Sequence, residues 1–163
     1  MVVLGIDPGT ASLGWGVIKR TEEVPYKVEA YGCINTDKKS IFSQRLKEIH
    51  KKLSKIIKKY DPDIAAIEQL FFAKNVKTAI SVGEARGVAI LAAVEANLPV
   101  AEYTPLQVKQ SVVGYGRAEK KQMQKMLKIL LRLSDVPKPD DAADALAVAL
   151  CHLNSEKMAE VGK

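Results

Sequence analysis

Two short, almost wholly apolar runs in this chain each stop on a carboxylate: Val2-Val3-Leu4-Gly5-Ile6 ends in Asp7, and Ile64-Ala65-Ala66-Ile67 ends in Glu68. Short apolar runs bounded by turn signals have the pattern of buried strands. Pro8-Gly9 follows the first run, and Asp61-Pro62 precedes the second. A carboxylate at the end of a buried strand is costly unless it is hydrogen-bonded, paired or bound to a cation. Any fold of this chain must bring both acids to a place where their charge is compensated.

The pattern around these runs predicts how they meet. Gly14 to Arg20 reads as a second strand, Thr21 to Pro25 as a turn and Tyr26 to Asn35 as a third strand, close enough in sequence for an antiparallel meander. Ser40 to Tyr60 carries Ile49, Leu53, Ile56, Ile57 and Tyr60 at helical spacing and stops at Asp61-Pro62, because proline cannot continue a helix. After the strand at Ile64 to Glu68 come a helix over Val76 to Asn97, a fifth strand over Pro99 to Thr104, and helices over Pro105 to Val113 and Glu119 to Leu133. A last helix opens at Pro139 and runs to Leu153, and the polar tail 154–163 is expected to fray. This order predicts an α/β fold, one mixed sheet covered by helices, with residues 1–153 as a single domain. A right-handed crossover through the first helix places the fourth strand beside the first, so Asp7 and Glu68 become neighbours.

The last helix adds acids. It opens Pro139-Asp140-Asp141-Ala142-Ala143-Asp144, and Asp141 and Asp144, three apart, share a face; the intervening alanines allow close packing. Asp140 or Asp141 could simply cap the helix and complement its dipole, whereas Asp144 precedes an apolar stretch and fits that role poorly. Four carboxylates in one cleft would raise each other's pKa values unless divalent cations neutralise them. With only oxygen donors and no His or Cys cluster, the set calls for Mg²⁺ or Mn²⁺ rather than zinc. A pair of such ions is suited to phosphodiester hydrolysis.

The charge balance fits a phosphate-bearing partner. The formal net charge of +6 hides two basic segments: nine basic residues against Glu48 from Lys38 to Lys59, and seven against Glu119 from Lys109 to Arg132. The remainder is acidic. A lysine face on an amphipathic helix is equally well explained by solvation, so the first segment is ambiguous. A 47% hydrophobic content and a mean hydropathy of -0.05 exclude a disordered chain. Neither a signal peptide nor a membrane-length apolar run is legible, and Cys33 and Cys151 form no CxxC pair, so a cytoplasmic protein with reduced thiols and no membrane association is expected. His50 and His152 read as structural.

Six stretches taken in order, GIDPGT (Gly5 to Thr10), GWGVI (Gly14 to Ile18), AIEQLFFAKN (Ala66 to Asn75), ARGVAILAAV (Ala85 to Val94), QVKQSVVGYGRAEKKQM (Gln107 to Met123) and DDAADALAVA (Asp140 to Ala149), resemble the RuvC family of Holliday junction resolvases. The resemblance spans nearly the whole chain. It implies a ribonuclease H-like fold with a five-stranded mixed sheet in the order 3-2-1-4-5, and paired, symmetric, Mg²⁺-dependent nicking of four-way junction DNA by a homodimer. It implies two Mg²⁺ per site, with Mn²⁺ as a substitute, and a RuvA–RuvB branch-migration complex as partner. Carried over residue by residue, it makes Asp7, Glu68, Asp141 and Asp144 the catalytic metal ligands, Asp141 rather than Asp140 beginning the family's D-A-A-D segment. It also implies base stacking by Phe71, with Phe72 packed, and DNA contacts by Lys109 and Lys120. Arg117 and Lys121 are further basic candidates for the backbone, and Gly83 and Gly87 mark a helix face for the dimer.

Two other readings compete. Asp7-Pro8-Gly9-Thr10 with Gly14 also resembles the phosphate loop of actin-like and sugar-kinase domains. A non-catalytic junction binder, with the acids serving only caps and solubility, is the third.

Overall fold

Why the two carboxylate-tipped runs end side by side is visible in the strand pairing. In a computed structural model that describes residues 1–70 and 76–161, the elements follow in the order β1 (Val2–Asp7), β2 (Ser12–Lys19), β3 (Lys27–Asn35), α1 (Phe42–Tyr60), β4 (Ile64–Glu68), α2 (Val76–Glu95), β5 (Val100–Tyr103), α3 (Pro105–Val113), α4 (Lys120–Leu130) and α5 (Asp140–Val161). The sheet runs β3-β2-β1-β4-β5, the order expected. β1 is antiparallel to β2 with Asp7 opposite Gly14, and parallel to β4 with Ile6 opposite Ile67. Asp7 and Glu68 thus stand one step beyond a paired position, at adjacent strand ends.

Alternation along the strands sorts side chains into two layers. On one face α1 and α2 cover Leu4, Ile6 and Ile67 with Ile49, Leu53 and a row of small residues that includes Ala85 and Ala89. On the other, α3, α4 and α5 cover Val3, Ile18 and Ala66 with Val108, Leu127, Leu146 and Leu150. Glu68 is two residues on from Ala66, so it points to the α5 side of the sheet. α5 is buried on nearly every side from Ala142 to Leu153, as expected of a helix apolar all round, and each of Leu146 and Leu150 contributes about 1.5–3 kcal/mol by its removal from water.

Two glycines let α5 lie on the strands. A Cβ at Gly5 would overlap the carbonyl oxygen of Ala145, and one at Gly14 would overlap that of Asp141. With hydrogens there instead, the first turn of α5 drops onto β2 at Gly14 and the next onto β1 at Gly5.

The last helix departs from expectation. It continues through Asn154 to Val161 where a stop at Leu153 and a frayed tail were expected. Asn154 carries part of the reason: its Nδ2 donates to Ser111 O (3.2 Å) and Oγ (3.0 Å), and its Oδ1 accepts from the Tyr26 hydroxyl (2.5 Å). A polar residue that reads as a helix end is here a half-buried fastening between the residue before β3, α3 and α5. Other boundaries agree to within about three residues, the largest difference being the end of α4 at Leu130 rather than Leu133.

Candidate active site

Each acid reaches the cleft from a different element. Asp7 comes from the end of β1, Glu68 from the end of β4, and Asp141 and Asp144 from the first turns of α5. One carboxylate oxygen from each of Asp7, Asp141 and Asp144 lies within 4.8 Å of the others. Glu68 is not part of that triplet. It lines an adjoining cleft of about 260 Å³ with Asp144, Lys109 and Lys120, and its charge is felt at Asp7. The four acids named from sequence are therefore gathered, three tightly and one across the cleft.

Crowding makes the charges expensive. Burial, followed by the charges of Asp144, Glu68 and Asp141, pushes the Asp7 carboxyl from the usual 3.8 to about 8. Burial and then Asp144 push Glu68 from 4.5 to about 7, against the pull of Lys109. Asp144 is raised by burial, with Lys120 opposing. Lys120 sits between Asp140 (3.1 Å) and Asp144 (3.3 Å). Burial pulls its ammonium down, but the Asp140 bond and the Asp144 charge outweigh this and its pKa rises. Asp140 is fully exposed, bonded to Lys120 and to the Gln124 amide (2.9 Å), and its pKa falls. Asp140 thus faces the α4 side of the helix start, while Asp141 faces Asp7.

Two ammonium groups, Lys120 and Lys109, do not balance four carboxylates. The triplet offers only hard oxygen donors, the chemistry that suits Mg²⁺, Mn²⁺ or Ca²⁺, so the residues fit a divalent cation. Such an ion would reverse the pKa logic, favouring the ionised acids.

The other candidates scatter. Lys109 is half-buried on α3 and lines the cleft. Arg117, in the α3–α4 connection, and Lys121, in the first turn of α4, are exposed and do not line it. Phe71 and Phe72 lie outside the described residues. Gly83 on α2 faces Leu70 of its own chain (3.4 Å to a built Cβ), whereas Gly87 opens outward with nothing near it. His152 is buried and bonded to the Tyr103 hydroxyl (2.8 Å), and His50 pairs with Glu95 (2.8 Å), both structural. Sequence reasoning missed the roles of Gly5 and Gly14; their signal was glycine inside two strand patterns, which marks a close backbone approach.

A mixed sheet in the order 3-2-1-4-5, with acids ending its first and fourth strands and opening its last helix, is of the ribonuclease H-like class. Within that class the family model described as "Crossover junction endodeoxyribonuclease RuvC" matches residues 3–152, and the chain belongs to that family. It is 59% identical over 155 residues to a protein so named from Alkaliphilus metalliredigens (strain QYMF), covering 95% of this chain and 94% of that one. It is 56% identical over 163 residues to the one from Alkaliphilus oremlandii (strain OhILAs), covering 100% and 99%. Among solved structures, Thermus thermophilus RuvC superimposes with a TM-score of 0.90 at 35% identity, covering 98% of this chain and 97% of that one. T. thermophilus RuvC in complex with a Holliday junction substrate gives 0.88 at 33% identity, covering 97% and 96%.

Proposed function

We propose that this protein is an endodeoxyribonuclease that resolves Holliday junctions by paired, symmetric, Mg²⁺-dependent nicking. The observation that carries this reading is the triplet of Asp7, Asp141 and Asp144 oxygens within 4.8 Å, beside Glu68, in a chain of the RuvC family. Asp7, Glu68, Asp141 and Asp144 would hold two Mg²⁺, replaceable by Mn²⁺. When bound, the ions supply a water activated for attack and charge stabilisation of the leaving oxygen. The protein's own groups do the rest. Lys109 and Lys120 present ammonium groups on the cleft wall, where they neutralise the scissile phosphate and fix its register. Lys120 must leave Asp140 or Asp144 to do so, and a phosphate oxygen offers an equivalent acceptor. Phe71 stacks on a base unpaired at the junction, and Arg117 and Lys121 contact the backbone further out.

Each chain cuts one strand, so a junction needs two copies. Ile80, Leu91 and Val94 are exposed on the outer side of α2, on the face that carries Gly87, and this supports a homodimer built on that helix. Coupling to a RuvA–RuvB branch-migration complex and a cytoplasmic location belong to the same reading. Among the described residues no helix is long and apolar enough to cross a membrane.

A labelled four-way junction tests the proposal. The wild-type protein with Mg²⁺ yields symmetric nicks. Asp7→Asn binds the junction but loses nicking by about 10³-fold or more, since a metal site of this kind is worth several kcal/mol. Unimpaired nicking by Asp7→Asn, or no nicking by the wild type, defeats the reading.

A further inference from the structure

Glu68 is set in place from behind the sheet. Its carboxylate lies on the α5 side, but its backbone is held from the α2 side, where Arg86 Nε donates to the Glu68 carbonyl oxygen at 3.3 Å. The same guanidinium is anchored by Glu102, with Nη2 at 2.7 Å from Oε2, and the Arg86 side chain is only 20% exposed. Glu102 is on β5, one residue before Tyr103, the register partner of Glu68. The Gln69 amide N–H donates to Tyr103 O at 2.8 Å, and its side-chain amide reaches Glu102 Oε2 at 3.5 Å. Three elements, β4, β5 and α2, are tied at the residue where the fourth strand ends and the chain turns out of the sheet.

We infer that Arg86, locked by Glu102, is a positioning residue that fixes Glu68 for cation binding. The physical need is specific. The sheet pairing recorded for β4 with β1 stops at Ile67, so Glu68 has β5 on one side only. A strand end paired on one side only is free to shift, and the Arg86 bond to its carbonyl supplies the missing restraint. A planar guanidinium bridging a carbonyl and a carboxylate resists both translation and twist, which a single ammonium does not. Arg86 precedes Gly87, the outward-facing glycine of α2, so the clamp also ties the catalytic strand to the helix proposed for the dimer. Groups that orient a metal-ligating side chain without touching the metal typically matter by about 10–100-fold in affinity or activity.

The inference rests on the metal-nuclease reading, and its test separates the two. With the full chain, Mg²⁺ binding is followed by calorimetry and nicking is measured against Mg²⁺ concentration, alongside junction affinity without metal. Arg86→Ala is expected to shift both the Mg²⁺ dissociation constant and the midpoint for nicking upward, and to slow nicking at low Mg²⁺ by about 10–100-fold, with junction affinity and dimerisation unchanged. Arg86→Lys recovers part of the loss. Glu102→Gln loses less than Arg86→Ala, and combining the two adds little. Because Arg86→Lys and Glu102→Gln keep the local packing, they carry the test if Arg86→Ala does not fold. Wild-type Mg²⁺ affinity and nicking in these variants would overturn the inference, as would a loss of melting temperature and junction affinity that Lys does not relieve. Failure of the wild type to bind Mg²⁺ would instead overturn the underlying function.

Discussion

The two ends of α5 are built on opposite rules. Toward its C-terminal half polar groups find neutral partners: Asn154 joins Ser111 and Tyr26, His152 meets the Tyr103 hydroxyl, Ser155 Oγ donates to Cys151 O at 2.9 Å, and Arg20 Nη1 donates to Leu153 O at 3.1 Å. Among the described residues no buried side-chain nitrogen or oxygen lacks a partner. At the N-terminal end Asp141 and Asp144 are pressed against Asp7, with Glu68 nearby and Lys120 as the cation bonded among them. Among the described residues no buried side-chain polar atom is left unpaired at either end, yet carboxylates are crowded together at the N-terminal one. Satisfied polar groups hold a fold together, whereas gathered charge of one sign marks where a ligand is needed.

Substitutions at each end should fail differently. Gly14→Ala puts a methyl group into the Asp141 carbonyl, and since the obstacle is backbone, α5 must lift. We expect a loss of about 3 kcal/mol, the upper end for overpacking, together with a fall in nicking of about 10²-fold from displaced ligands, read by denaturant melts and junction assays. Asn154→Ala removes the Ser111 and Tyr26 bonds and should cost about 1–3 kcal/mol while leaving nicking and Mg²⁺ affinity at wild-type values. If Asn154→Ala altered the Mg²⁺ dependence as much as Gly14→Ala did, the two ends would not be separate devices.

The smallest effect is in the pH profile. Asp7 and Glu68 have pKa values of about 8 and 7 in the folded chain, raised from 3.8 and 4.5. They bind protons more tightly folded than unfolded, so their contribution to stability is full below the unfolded values and is lost as pH rises through the folded ones. Without divalent cations, the wild-type melting temperature should fall from pH 5 to pH 8 more steeply than that of Asp7→Asn. Parallel profiles would mean that the acids are not in conflict.

Much of this was legible in the sequence, and the exceptions have physical reasons. The meander of β1 to β3 and the place of β4 beside β1 followed from two apolar runs and a crossover, because periodicity and chain connectivity leave few alternatives, and the full strand order came from the family resemblance. Asp7 and Glu68 stood out as carboxylates ending buried strands, and Asp141 and Asp144 by their three-residue spacing at the head of an alanine-rich helix and by the family resemblance. What escaped depends on distances between elements. Gly5 and Gly14 are open to α5 only once the helix is docked, and Asn154 becomes a fastening only when Ser111 and Tyr26 are beside it. Arg86 sat inside a matched motif, but nothing in one dimension connects it to Glu102 or to the Glu68 carbonyl. The lysines of α1 stay ambiguous for a related reason: Lys47, Lys51, Lys55 and Lys58 form an exposed face, as a solvated helix would.

The central claim is that the acids at the head of α5 are gathered to hold a divalent cation, and thermal melts at pH 8 with and without Mg²⁺ test it most directly. Mg²⁺ should raise the melting temperature of the wild type and leave that of Asp7→Asn nearly unmoved, since the ion binds the folded site alone and needs that carboxylate. An equal response in both proteins, or none in the wild type, would contradict it.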